Sequence, residues 1–209
     1  MSPRQRLATA RLYLVCDARP RDWLRAALRG GVDLIQLRDK TLDDEELVTA
    51  AREFRVAADK GRALFILNDR PDLVDACDAD GVHLGQDDEP PAHARGAVGP
   101  DRIVGRSTHA PAQAEAADSD PDVDYLAVGP VHVTPTKPGR PAAGLGYVEF
   151  AARNVRKPWF AIGGLDATNV DEVVARGARR IVVVRAITEA DDPEAAARAL
   201  VAGLDVARV

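Results

Sequence analysis

Eight short apolar runs recur along the 209-residue chain, and their rhythm leaves few folds open. They are RLYLVCD (11–17), DLIQLRD (33–39), ALFILND (63–69), GVHLGQD (81–87), RIVGRSTH (102–109), YLAVGPV (125–131), WFAIGGL (159–165) and RIVVVRAI (180–187). Each has the length and the Val, Ile and Leu content of a strand buried on both faces. Between them lie alanine-rich amphipathic segments such as LDDEELVTAAREFRVAADKG, in which Leu47, Ala50, Ala51 and Phe54 fall on one helical face and Gly61 is the expected stop. DATNVDEVVARGA and DPEAAARALVAGLDVA read as further helices. Strands alternating with helices pair in parallel, and eight units of about 26 residues predict a compact (β/α)8 barrel, one catalytic domain over residues 1–209. A doubly wound open sheet is the alternative, but it usually has a glycine-rich phosphate turn after its first strand, and VCDARPRDW is not one.

Several function classes drop out on composition. Charged residues make up 29% of the chain with both signs interspersed, and the formal net charge is -5, so no broad basic field draws in nucleic acid. No run reaches the roughly 20 apolar residues that span a bilayer, and MSPRQRLATARLYLVCD has too short an apolar segment for a signal peptide. The expectation is a cytoplasmic protein acting on small molecules, with a homodimer compatible with such a chain. Cys16 and Cys77 lack metal-ligand spacing and are expected to be buried thiols.

Polar residues and glycines gather where the strands end. Gln36, Arg38 and Lys40 follow the second run, Asn68 and Asp69 the third, Gln86, Asp87 and Asp88 the fourth, and Ser107 with His109 the fifth. The loop TPTKPGRPAAG follows the sixth, Gly163 and Gly164 the seventh, and Arg185 the eighth. In a barrel all these ends converge on the face where active sites lie. If the second strand continues, Gln36, Arg38 and Lys40 point to one side, and inward cations need an anionic partner. Asp69 and Asp88 end adjacent strands; carboxylates without histidine or cysteine suit a hard ion, Mg2+ above all, although Asp69 could instead cap the helix that NDRPDL begins. The Gly163–Gly164 pair lets backbone approach a ligand near the habitual phosphate position of this fold. His83 and His109 read as satisfied core histidines, with no nucleophile constellation around either.

In order along the chain, QLRDK, LND, DGVHLGQDD, GRSTH, VGPVHVTPTK and AIGGL resemble the thiamine phosphate synthase family from about residue 12 to 200. The resemblance implies an enzyme joining hydroxymethylpyrimidine diphosphate to hydroxyethylthiazole phosphate, with release of pyrophosphate. It implies that Gln36, Arg38, Lys40, Asn68, Ser107 and Lys137 contact the pyrimidine diphosphate, with Arg38, Lys40, Ser107 and Lys137 serving the chemistry, and that Asp69 and Asp88 bind Mg2+. Thr134, Thr136, Gly164, Val184 and Arg185 would meet the thiazole phosphate. The loop at 134–144 would then close over both substrates. Arg185 stands where relatives commonly place serine, so it either grips the phosphate or fills the pocket. Two other readings share this barrel: a thiazole tautomerase using His109 as base, and a non-catalytic sensor of thiazole or thiamine phosphates.

Overall fold

The computed structural model describes residues 1–133 and 141–205. The chain runs α1 (Pro3–Thr9), β1 (Leu12–Cys16), α2 (Arg21–Arg29), β2 (Leu34–Leu37), α3 (Asp44–Gly61), β3 (Leu64–Asn68), a 3-10 turn (Pro71–Leu73) and β4 (Gly81–Leu84). It continues α4 (Pro91–Val98), β5 (Ile103–Thr108), α5 (Pro111–Ser119), β6 (Tyr125–Val128), α6 (Gly144–Asn154), β7 (Trp159–Ile162), α7 (Val170–Ala175), β8 (Ile181–Val183), α8 (Arg185–Thr188) and α9 (Pro193–Asp205). All eight strands fall inside the eight apolar runs and pair in parallel in sequence order. The eighth closes on the first, with Leu12 opposite Ile181, so the sheet is a barrel and the open doubly wound alternative is excluded.

Side-chain alternation divides the core in two. Leu12, Leu14 and Cys16 of β1 point outward to pack with the helices, while Tyr13 and Val15 point inward; Phe65 and Leu67 of β3 face out and Leu64 and Ile66 face in. Going up the barrel axis the inward residues change character. Leu34, Leu64, Ile103 and Phe160 fill the N-terminal part with hydrocarbon. Gln36, Asn68, His83 and Ser107 occupy the C-terminal end, and Gln36, His83 and Ser107 are buried there.

Three local features depart from the sequence expectation. Helix α1 is not signalled by any apolar run; a capping box creates it, with the Ser2 hydroxyl accepting from Gln5 N–H and the Gln5 side chain accepting from Ser2 N–H. It brings Leu7 and Ala10 into the inner cluster and so covers the N-terminal mouth of the barrel. The α3 stop is Arg62, in the left-handed region at φ 56°, and not Gly61. Gly61 is needed for packing, since a Cβ there would lie 2.9 Å from the Leu28 side chain. DATN stays outside α7 because Asp166 and Asn169 spend their side chains on the turn, Asp166 accepting from Thr168 N–H at 2.8 Å and Asn169 donating to the Gly164 carbonyl at 2.9 Å.

Gly105 makes room for the Tyr125 ring inside the barrel. A Cβ at this position would sit 2.1 Å from the Tyr125 ring, and Tyr125 is completely buried. Gly105→Ala is expected to destabilise the fold by about 1–3 kcal/mol through overpacking, a fall in Tm of roughly 5 °C for a chain of this size. Scanning calorimetry checks this, and an unchanged Tm would show that the ring has somewhere else to go.

Candidate active site

A cavity of about 70 Å³ opens at the C-terminal end of the barrel, lined among others by Gln36, Arg38, Asn68, His83 and Ser107. Gln36, Arg38, Asn68 and Ser107 are groups the sequence singles out at the ends of three strands, β2, β3 and β5, so closure of the barrel brings them together. Gln36 is buried and its amide nitrogen donates to the Tyr13 hydroxyl. Arg38 lies one residue past β2, its N–H extending the ladder to the Cys16 carbonyl at 2.8 Å. Among the described residues no carboxylate pairs with the Arg38 side chain, although it is half-buried. A guanidinium so placed calls for an anion from outside the protein.

Lys40 departs from the expected strand geometry. Strand β2 ends at Leu37, and Lys40 is exposed in a bend, so it does not continue an inward row with Gln36 and Arg38. Asp39 causes the bend by accepting from Thr41 N–H, the Thr41 hydroxyl and Ala18 N–H, which holds its carboxyl below the usual range and ties this loop to the one after β1. The Lys40 charge favours the ionised forms of Asp69 and Asp88.

Those two carboxylates meet. Asp69 leaves β3 at φ 60°, in the left-handed region, with its N–H on the His83 carbonyl at 2.9 Å. It does not cap the 3-10 turn, whose capping position is Arg70, so the capping alternative fails. Asp88 is anchored by Gly85 N–H at 2.6 Å and hydrogen-bonds Asp69 across the gap between the β3 and β4 loops. Burial, the hydrogen bond to Asp88 and repulsion from it push the Asp69 carboxyl up to about 6. Burial also pushes Asp88 up, but the bond from Asp69, the Gly85 N–H, Lys40 and Arg106 outweigh it and leave Asp88 below its ordinary value. Below about pH 6 the pair therefore holds a proton on Asp69 that a cation would displace. An oxygen-only donor set suits a hard divalent ion, and among the described residues no third acidic, histidine or cysteine side chain joins the two, leaving remaining positions to substrate and water.

A larger cavity of about 320 Å³ adjoins the first, sharing Ser107, Ile162, Val182 and Val184 with it. Its far wall holds Gly163, Gly164 and Arg185. Gly164 has φ 67°, and a Cβ there would lie 2.8 Å from His132 Cβ, so both conformation and space require glycine. Val184 follows β8 as the residue capping α8, and Arg185 begins that helix, half-exposed and 3.8 Å from the Glu189 carboxylate. His109 lines this cavity with its Nδ1 2.6 Å from the Gly129 carbonyl. Thr134, Thr136 and Lys137 lie outside the described residues.

The sequence did not disclose Tyr13 and Tyr125. Each sits inside an apolar run and looks like core, yet their hydroxyls are 2.9 Å apart and connect Gln36 to His83. His83 is buried as expected but is also bonded to Ser107, at 2.9 Å. Period-2 alternation puts Tyr13, Gln36, His83, Gly105, Ser107 and Tyr125 on inward positions, which was the available signal. Cys16 and Cys77 are buried free thiols, as expected, with Cys77 in a turn.

The chain is similar to known proteins along nearly its whole length. A family model described as thiamine monophosphate synthase matches residues 12–187. The thiamine-phosphate synthase of Thermobifida fusca is 53% identical over 203 residues, 94% of this chain and 93% of that protein. That of Thermus thermophilus is 54% identical over 198 residues, 91% and 95% of the two chains. The structure of a thiamine phosphate pyrophosphorylase from Pyrococcus furiosus superposes with a TM-score of 0.86 at 31% identity, covering 98% of each chain.

Proposed function

Because the chain belongs to the thiamine monophosphate synthase family, we propose that its two adjoining cavities hold hydroxymethylpyrimidine diphosphate and hydroxyethylthiazole phosphate side by side and join them into thiamine phosphate with release of pyrophosphate. One observation carries the assignment of sites: the cavities share Ser107, Ile162, Val182 and Val184, so two ligands filling them would touch where those residues stand. The smaller, with Arg38, which has no carboxylate partner among the described residues, takes the diphosphate-bearing pyrimidine. The larger, with Gly164 and Arg185, takes the thiazole phosphate.

The thiazole nitrogen brings its own lone pair, so the site needs no base to activate the nucleophile. The difficulty lies in breaking the bond from the pyrimidine methylene carbon to the diphosphate oxygen. Arg38 holds the departing oxygens in its fork, Lys40 and Lys137 add positive charge, and the Ser107 hydroxyl donates to them. Gln36 and Asn68 orient the pyrimidine. Asp69 and Asp88 hold the divalent ion, Mg2+ in this reading, which when bound neutralises the growing charge on pyrophosphate. Placing the thiazole against the methylene carbon contributes several kcal/mol more, up to roughly 7–11 in ideal cases. Arg185 serves as a phosphate grip: its exposed 3.8 Å pair with Glu189 is of the kind worth about 0–1 kcal/mol, so a phosphate replaces the carboxylate at little cost. Thr134 and Thr136 complete the thiazole phosphate contacts. A cytoplasmic location belongs to the same reading; among the described residues no helix is long and apolar enough to cross a membrane.

The tautomerase and sensor readings lose ground to the joint presence of the Asp69–Asp88 carboxylate pair and of Arg38, which has no carboxylate partner among the described residues; an isomerase of one monophosphate would not use both. Purified protein given Mg2+ and both substrates is expected to form thiamine phosphate and pyrophosphate in equal amounts, the former read as its fluorescent thiochrome. Folded protein that binds the thiazole phosphate yet forms no product would sink the proposal.

A further inference from the structure

Five side chains form one hydrogen-bonded chain through the barrel interior, and its two ends are groups that face the smaller cavity. The Gln36 amide nitrogen donates to the Tyr13 hydroxyl; Tyr13 and Tyr125 hydroxyls are 2.9 Å apart; Tyr125 is 2.9 Å from His83 Nδ1; and His83 Nε2 is 2.9 Å from Ser107 Oγ. All five are buried, Tyr125 completely. The ends stand on strands that are not neighbours, Gln36 on β2 and Ser107 on β5, yet the chain needs no water to connect them.

Such a chain has two possible directions, because each hydroxyl donates once and the neutral imidazole donates from one nitrogen only. Direction is decided at the Gln36 end. Its amide nitrogen can only donate, so Tyr13 accepts there and has Tyr125 as the acceptor for its own proton. Tyr125 then donates to His83 Nδ1. The imidazole proton sits on Nε2 and is given to Ser107 Oγ. That leaves the Ser107 proton directed away from His83. With the Gln36 nitrogen turned toward Tyr13 as it is here, in the reverse direction Ser107 would donate to His83 and Tyr13 would accept from both sides, its own proton left without an acceptor in the chain, an arrangement that forfeits a hydrogen bond. Burial also raises both phenols, so each keeps its proton to relay.

We infer that Tyr13, Tyr125 and His83 are positioning residues that set the polarity of this chain, holding Ser107 as a hydrogen-bond donor toward the diphosphate oxygens. The device is directional: without it the Ser107 hydroxyl can turn its proton to His83 and present a lone pair to an anion. Gly105 belongs to it, since only its missing Cβ lets the Tyr125 ring lie across the barrel. The inference rests on the proposed placement of the diphosphate at Ser107, but the state of His83 does not.

The test has two readouts on the full-length protein. With 15N-labelled histidine, and the His83 signals assigned by loss in His83→Gln, His83 is expected as the Nε2–H tautomer, its Nδ1 appearing as an unprotonated nitrogen, and this signature is expected to be lost in Tyr125→Phe. An Nδ1–H tautomer in the unmodified protein would overturn the polarity. The second readout is binding of inorganic pyrophosphate with Mg2+ by calorimetry. Tyr125→Phe, which keeps the ring, is expected to weaken it about tenfold, the effect of one lost hydrogen bond to a charged group, and to weaken it no further in a Ser107→Ala background. Equal losses in both backgrounds would reduce Tyr125 to a packing residue and overturn the inference. If Ser107→Ala alone leaves pyrophosphate binding intact, the failure is that of the diphosphate placement, and the inferred function of the chain falls with it whatever tautomer His83 shows.

Discussion

Replacing Asp88 by asparagine is expected to lower kcat/KM for thiamine phosphate formation by roughly 10³-fold, the several kcal/mol that a divalent ion contributes to a phosphate leaving group. Asparagine is the informative substitution because Asp88 does two things. Its carboxylate accepts the Gly85 N–H at 2.6 Å, fixing the β4 loop, and it faces Asp69. The amide oxygen of the Asp88→Asn variant keeps the first contact while the charge is removed, so the loop stays in place and ion affinity falls. The Tm should hold, since one of two mutually repelling carboxylates is gone. At Asp69, asparagine is again preferable to alanine because the backbone is at φ 60°, where Asn is tolerated and Ala is not. The proton on Asp69 adds a pH signature: its carboxyl is raised to about 6, so below that pH a proton must leave before the ion binds. Apparent Mg2+ affinity is therefore expected to drop about tenfold per pH unit below 6 and to level off above it. Unchanged turnover in Asp88→Asn with full EDTA sensitivity would move the ion elsewhere.

Arg38→Ala is expected to cost roughly 10²–10³-fold in kcat/KM, the range for loss of a desolvated, bidentate anion contact that strengthens as charge develops. Arg21, Arg55, Arg70 and Arg95 are held by carboxylates, whereas Arg38 lines the smaller cavity and has no such partner among the described residues. Arg38→Lys should recover only part of the loss, because an ammonium reaches the site as a point charge without the planar fork. Removing an unpaired half-buried cation relieves desolvation, so the variant should be at least as stable as the parent. An Arg38→Ala protein that turns over normally would mean that the smaller cavity is not where pyrophosphate leaves.

The barrel was legible because its signal repeats. Eight runs of similar length, most of them leading into polar residues or glycines, survive the boundary errors of any single one, and a parallel closed sheet needs no more than their count and order. Gln36, Asn68 and Ser107 kept to strand geometry and line the smaller cavity, because alternation fixes their direction inside regular strands. Lys40 did not, since alternation stops where the strand stops, and Asp39 ends β2 early by binding the following loop. The tyrosines were hidden for a different reason. In a buried strand an aromatic ring reads as hydrocarbon, and the hydroxyl acquires meaning only when a residue from another strand is opposite it; Tyr13 and Tyr125 are 112 positions apart. Helix α1 was missed because a capping box and two buried residues, Leu7 and the capping Ala10, carry it without an apolar stripe.

The measurement that bears most directly on the two-cavity account is a crystal structure of this chain with thiamine phosphate, pyrophosphate and Mg2+. The account predicts pyrophosphate against Arg38 and Ser107 in the smaller cavity, the ion between it and the Asp69 and Asp88 carboxylates, and the phosphate of thiamine phosphate at Gly164 and Arg185. Pyrophosphate bound at Gly164, or an ion held away from both aspartates, would contradict it.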